Sequence, residues 1–124
     1  GVRRDTADYY LVRIGRLMQE EKPYLDRELS LQRLAELVRI QPHHRSQILD
    51  ESVRKNYYDV INSYRIIHAR QLLLELPDLP IIEVAVASGY NNKNSFYNSF
   101  RRFTGMTPTE FRANPAAIAE IDLI

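Results

Sequence analysis

Ile81-Ile82-Glu83-Val84-Ala85-Val86-Ala87-Ser88-Gly89-Tyr90-Asn91-Asn92-Lys93-Asn94-Ser95-Phe96-Tyr97-Asn98-Ser99-Phe100-Arg101-Arg102-Phe103-Thr104-Gly105 is the stretch whose pattern decides the fold. Its apolar residues recur at helical spacing, so two helices are expected, one from Ile81 to Ser88 and one ending after Thr104. Gly89 can take the positive φ of a helix C-terminus, Asn91 or Asn92 can cap the helix that follows, and Gly105 can end it. In that second helix Phe96, Phe100 and Phe103 fall at i, i+4 and i+7, which commits one face to a core. The opposite face then carries Lys93, Asn94, Tyr97, Asn98 and Arg101. Short helix, turn and second helix make a helix-turn-helix unit.

Helical spacing runs outward from this stretch through the whole chain, and alternating strand patterns are missing, so the class is all-α with about seven helices. Tyr9, Tyr10, Ile14, Leu17 and Met18 mark a first helix that ends near Glu21, ahead of Pro23. Ser30 is the expected N-cap of a short helix from Leu31 to Val38, with Leu31, Leu34, Ala35 and Val38 inward, and another helix is expected from Pro42 to about Ser52. Tyr57 to Leu76 reads as one long helix of about 30 Å, at about 1.5 Å per residue. Its apolar face is Val60, Ile61, Tyr64, Ile67, Ala69, Leu72, Leu73 and Leu76. Thr107-Pro108-Thr109-Glu110 restarts the chain after Gly105 with a capping box and a proline in the first turn.

A repeat follows from these assignments. Leu31 to Ser52 and Ile81 to Thr104 share the order short helix, turn, helix, with Leu34-Ala35 in register with Val84-Ala85 about 50 residues on. The expected organisation is a lead-in over residues 1–30, a first unit over 31–55, a linker helix over 57–76, a second unit over 81–112, and a tail over 113–124. Two helix-turn-helix subdomains joined by a linker helix imply two contact points on an extended ligand.

The 124 residues suffice for a core without staples, and no cysteine is present to supply them. Thiolate metal sites, thiol nucleophiles and redox switching are thereby excluded, and a reducing cytoplasm is the expected compartment. Hydrophobic residues make up 44% and charged residues 27% of the chain, and no apolar run is long enough to span a membrane, so a soluble segment is expected. Gly1 stands where an initiating methionine would, so the natural protein is expected to be longer.

Net charge is only +1, so its distribution has to carry the argument. Acids outnumber bases between Glu20 and Glu36, whereas Val84 to Thr109 holds no acid and has Lys93, Arg101 and Arg102. On the polar face of the second helix, lysine suits guanine acceptors, asparagine suits adenine, and tyrosine suits backbone or a thymine methyl. Arg101 and Arg102 suit phosphate. A merely solvated helix face would more often show acid-base pairs at i,i+4. His43, His44 and His68 lack a third ligand at metal-binding spacing, so no metal is expected. No phosphate loop, nucleophile elbow or paired-acid signature appears, so neither enzyme nor cofactor is expected. The competing class is a helical protein-protein adaptor, which should show an apolar centre on its docking face.

Ile82-Glu83-Val84-Ala85, Ser88-Gly89-Tyr90 and the run from Asn94 through Phe103-Thr104-Gly105-Met106-Thr107-Pro108-Thr109-Glu110-Phe111-Arg112 closely resemble the C-terminal signature of AraC/XylS transcription regulators. The resemblance continues upstream through Asn62-Ser63-Tyr64-Arg65 and Ala69 to Leu73, and more loosely to Leu31, Leu34 and Ala35. It implies sequence-specific binding of double-stranded DNA by two recognition helices in successive major-groove segments, and promoter activation through RNA polymerase. Carried over by position, the base contacts would be Lys93, Asn94, Tyr97 and Asn98 in the second unit and His43, Ser46 and Gln47 in the first. Phosphate contacts would be Arg101, Arg102 and Lys55. In the first unit Arg45 replaces the family's core leucine, Val53-Arg54-Lys55 lacks the usual glycine, and Asp50 brings a negative charge near the phosphate position. Either this unit binds DNA weakly, or Arg45 snorkels outward to become a phosphate contact. No small-molecule site is expected in this segment. The acidic lead-in Glu20 to Asp26 resembles that of proteins in which this domain ends a longer sensor, some of them membrane-embedded, so any membrane association would come through such a missing N-terminal part.

Overall fold

The computed structural model describes residues 2–41 and 51–115, with side chains over 8–41 and 54–115. Six α-helices lie among them: α1 (Val2–Glu20), α2 (Leu31–Leu37), α3 (Glu51–Glu75), α4 (Ile81–Ala87), α5 (Lys93–Thr104) and α6 (Pro108–Ala113). A 3-10 turn occupies Pro23–Leu25, and the described residues include no strand, in agreement with the all-α expectation. The helix expected over Pro42 to Ser52 lies mostly outside the described residues, as does 116–124 of the tail. The long helix begins at Glu51 rather than Tyr57. The chain divides into two compact units, 1–23 with 28–59, and 24–27 with 60–124.

In the first unit, α1 buries Tyr10, Ile14 and Met18 at i, i+4 and i+8, and α2 buries Leu31, Leu34 and Ala35. Tyr9, expected among the core markers, is instead 58% exposed, because the stripe through Ile14 and Met18 passes through its neighbour Tyr10. Ser30 caps α2 as expected, its hydroxyl oxygen accepting from the Arg33 amide at 3.0 Å. Val38 and Ile40 continue the core, and Tyr57 of α3 is fully buried in the same unit. Burial pushes the Tyr57 phenol up to about 12.

The second unit is built on Ile66, Ala69 and Leu73 of α3, Val84 and Ala85 of α4, Tyr90 in the turn that follows, Phe96 and Phe100 of α5, and Phe111 of α6. Their rings form a continuous run, with centroids 5.4 Å apart for Tyr90 and Phe96, 5.7 Å for Phe96 and Phe100, and 5.6 Å for Phe100 and Phe111. Such tilted and edge-on pairs add to the burial of apolar area. Ile66 was absent from the expected apolar face yet is fully buried, whereas Leu76 was included and is 49% exposed, lying beyond the last turn of α3.

The two short helices obey the 50-residue offset at both ends, 31 to 81 and 37 to 87. They also terminate alike. The Arg39 and Ile40 amides donate to the Glu36 and Ala35 carbonyls at 3.1 and 2.9 Å, and the Gly89 and Tyr90 amides donate to those of Val86 and Ala85 at 3.1 and 3.0 Å. These are Schellman terminations, which require a left-handed residue after the cap. That residue is Arg39 (φ 58°) in the first copy and Gly89 (φ 95°) in the second.

Glycine at 89 answers a second constraint. A Cβ there would overlap the Tyr24 carbonyl oxygen and come within 2.8 Å of Arg65 Nε. Arg65 needs that space. Its Nε donates to the Tyr24 carbonyl at 2.7 Å, its Nη2 donates to the Asp26 carbonyl at 3.0 Å, and its guanidinium lies 5.6 Å from the Tyr90 ring centroid. Burial pulls the Arg65 pKa down, opposed by Tyr90 and Asp26. Tyr24 stacks on Tyr64 at 5.4 Å, and the Tyr90 hydroxyl donates to Asn62 at 3.0 Å.

The equivalent left-handed positions should respond oppositely to substitution. Arg39→Gly relieves a side chain of its left-handed strain and is expected to stabilise by roughly 0.5–1 kcal/mol, whereas Gly89→Ala adds both strain and overlap and should cost about 2 kcal/mol or more. Chemical denaturation of the two variants beside the parent checks both signs, and destabilisation by Arg39→Gly would contradict the strain at 39. Leu73→Asp sets an unpaired charge in the second core and is expected to cost several kcal/mol. Retention of the parental helical circular dichroism and thermal midpoint would contradict that placement.

Candidate nucleic-acid interface

The rotation of α5 about its axis is set from inside. Phe96 and Phe100 are fully buried and Phe103 packs partly against the same core, so the residues between them must face outward. Asn92, in extended backbone, caps the helix by accepting from the Ser95 amide at 2.9 Å. Gly105 (φ 77°) ends it, its amide donating to the Arg101 carbonyl at 2.8 Å. Thr104 Oγ1 donates to the Phe100 carbonyl at 2.7 Å and accepts from the Met106 amide at 3.1 Å, which fixes the turn into α6.

The outward face carries Lys93, Asn94, Asn98, Arg101 and Arg102, all exposed, with Tyr97 half-buried among them. Tyr97 packs edge-on to Phe96 at 6.3 Å, and its hydroxyl pairs with Thr109 Oγ1 at 3.1 Å. The Lys93 ammonium stands 5.3 Å from the Tyr97 ring centroid. The Arg102 guanidinium lies 5.4 Å from the Phe103 centroid, so it leans toward the edge of the core. Glu110 is the first acid after Glu83. The Thr107 amide donates to its carboxylate at 2.9 Å, and this bond, with Arg101 contributing less, holds its pKa below the ordinary value. The reciprocal bond, Glu110 amide to Thr107 Oγ1 at 3.1 Å, completes the expected capping box.

The sequence-derived residues Lys93, Asn94, Tyr97, Asn98 and Arg101 therefore share one face of one helix. Lys55 is exposed on the part of α3 that belongs to the first unit. His43, Arg45, Ser46 and Gln47 lie outside the described residues. In the sequence Thr109 signals only a helix start. Its contact with Tyr97 depends on how α6 folds back, which no local pattern signals. Among the described residues no group of three or more His, Cys, Asp or Glu could hold a metal ion, and no helix is long and apolar enough to cross a membrane.

Comparison with known proteins bears on this geometry. Residues 34–114 match a family profile described as a helix-turn-helix domain. An uncharacterized HTH-type transcriptional regulator of Staphylococcus aureus (strain COL) is 34% identical over 93 residues, covering 75% of this chain and 12% of that protein. The HTH-type transcriptional regulator GlxA of Rhizobium meliloti (strain 1021) is 29% identical over 96 residues, covering 77% of this chain and 29% of its own length. The chain thus spans a minor part of these relatives. Among solved structures, a DNA-binding transcriptional dual regulator from Escherichia coli K-12 superposes with a TM-score of 0.65 at 27% identity, over 84% of this chain and 89% of that one. The C-terminal domain of AraT, a response regulator from Geobacillus stearothermophilus, shares the fold with a TM-score of 0.62 at 22% identity, over 100% and 88% of the two chains. This chain belongs to the AraC-type helix-turn-helix family of DNA-binding transcription regulators.

Proposed function

We propose that α5 is a recognition helix that enters a DNA major groove, with Lys93, Asn94 and Asn98 toward base edges, Tyr97 on the same face, and Arg101 and Arg102 toward phosphate. The observation that carries this reading is the acid-free, exposed polar face of α5, locked in rotation by Phe96 and Phe100. A protein-docking adaptor would need an apolar centre on that face, whereas its most exposed residues are amides and cations. The 50-residue repeat supports a double helix-turn-helix domain over 31–112, in which a first recognition helix presents His43, Ser46 and Gln47 to a neighbouring groove segment, with Arg45 and Lys55 at phosphate. The regulator acts on transcription in the cytoplasm, by promoter activation through RNA polymerase.

Base and phosphate contacts fail differently when truncated. For a base reader, Asn94→Ala or Lys93→Ala should lose about 1–3 kcal/mol on a site selected from random duplexes and relax discrimination at one base position. For a phosphate contact, Arg101→Ala or Arg102→Ala should weaken all duplexes alike and lower the salt slope by about one unit. Affinities at several salt concentrations separate the two, and indifference to both Lys93→Ala and Asn94→Ala in a folded protein would sink the recognition-helix reading. Two units that read successive groove segments about one turn apart imply that a single chain protects roughly 15–20 base pairs. A footprint confined to one half-turn, or a strict need for a palindrome, would contradict the double unit.

A further inference from the structure

Tyr97 lies on the core side of the polar face of α5, half-buried, and its polar end is already engaged. A tyrosine that reads a base or a phosphate needs its hydroxyl turned toward the DNA, whereas this hydroxyl pairs with Thr109 Oγ1, twelve residues on, in the first turn of α6. The ring is held on a second side by Phe96, edge-on at 6.3 Å. Over the same ring lies the Lys93 ammonium, one helical turn earlier, 5.3 Å from its centroid. A lysine in an exposed first turn has many rotamers, and freezing one of them on binding opposes affinity. An aromatic platform that restricts the lysine beforehand lowers that cost.

We infer that Tyr97 is a positioning residue: tethered by Thr109, its ring holds Lys93 in place, so that Tyr97 and Thr109 tune base discrimination through Lys93 and not through base contacts of their own. This rests on the reading of α5 as a recognition helix. Thr109 is thereby a specificity residue that never touches a base. The tether and the platform are separable, because Tyr97→Phe and Thr109→Val each remove the hydroxyl pair and leave the ring, whereas Tyr97→Leu removes the ring.

The test uses the full chain and a duplex selected from a random pool, with affinity measured for that duplex and for variants at the base position where Lys93→Ala relaxes discrimination. Tyr97→Leu should weaken binding to the selected duplex about two- to fivefold, as befits an exposed cation-π contact, and flatten the preference at that same position. Tyr97→Phe and Thr109→Val should produce one shared, smaller loss that does not grow when they are combined, and Thr109→Ser should restore the parental value. In a Lys93→Ala background all of these should be silent. Non-specific affinity and thermal midpoint separate a folding defect from lost positioning, since only the latter moves base preference alone. The inference is overturned if the Tyr97→Leu and Lys93→Ala losses multiply, or if Tyr97→Phe relaxes a different base position while Thr109→Val has no effect, which marks a direct contact by the phenol. If Lys93→Ala and Asn94→Ala are themselves indifferent in a folded protein, the recognition-helix reading falls and the inference with it.

Discussion

The angular setting of α5 about its own axis governs the recognition face proposed for the second unit, and one run of rings sets it. Tyr90, Phe96, Phe100 and Phe111 meet in sequence, against Ile66, Ala69 and Leu73 on one side and Val84 and Ala85 on another. An α-helix turns by about 100° per residue, so burying residues 96 and 100 leaves no freedom in where 93, 94, 97 and 98 point. Ala85 matters for the same reason. A larger side chain there would meet a close-packed interior at the crossing of the short helix and its neighbours. The Arg65 bonds to the Tyr24 and Asp26 carbonyls add a second, polar fastening, and they hold residues 24–27 in the second unit although the chain on either side belongs to the first.

The repeat shows how differently two copies can satisfy one backbone geometry. Both short helices end in the same pair of amide-to-carbonyl bonds, but the first copy tolerates Arg39 in the left-handed position while the second uses Gly89. The strain at Arg39 is of the order of 1 kcal/mol, a cost that the surrounding structure can absorb. At Gly89 a further steric demand comes from Arg65 and the Tyr24 carbonyl, and no side chain fits. Glycine is thus required where two constraints coincide and is optional where only one acts.

Legibility in the sequence followed the range of the interaction. The caps at Ser30 and Thr107, the proline and glycine boundaries, and the Phe96 and Phe100 face all depend on contacts within about one turn and are readable from spacing, which narrows the remaining cap to Asn91 or Asn92, the structure having Asn92. Tyr9 and Tyr10 were not separable, since adjacent aromatics on a helix differ only in which side of the stripe they fall. Ile66 was missed and Leu76 overcounted because the apolar face of a long helix drifts, and the end of α3 lay one residue earlier than expected. The bonds of Arg65 to residues 24 and 26 and of Tyr97 to Thr109 span long stretches of chain. No periodicity encodes such pairs, so nothing local in the sequence ties Thr109 to the face of α5.

A near-neutral chain also constrains how the proposed interface can work. The acid-free stretch from Val84 to Thr109 has only Lys93, Arg101 and Arg102, and two of these cations already rest on aromatic rings. Counterion release scales with the number of phosphates neutralised, so a surface with so few cations gains little sequence-independent affinity. Discrimination by this unit must then come from short-range donors and acceptors whose geometry is fixed before the DNA arrives. The ring platform beneath Lys93 and the locked rotation of α5 both supply such fixing. For an interface with a small electrostatic contribution, rigidity at the base-reading face takes the place of charge.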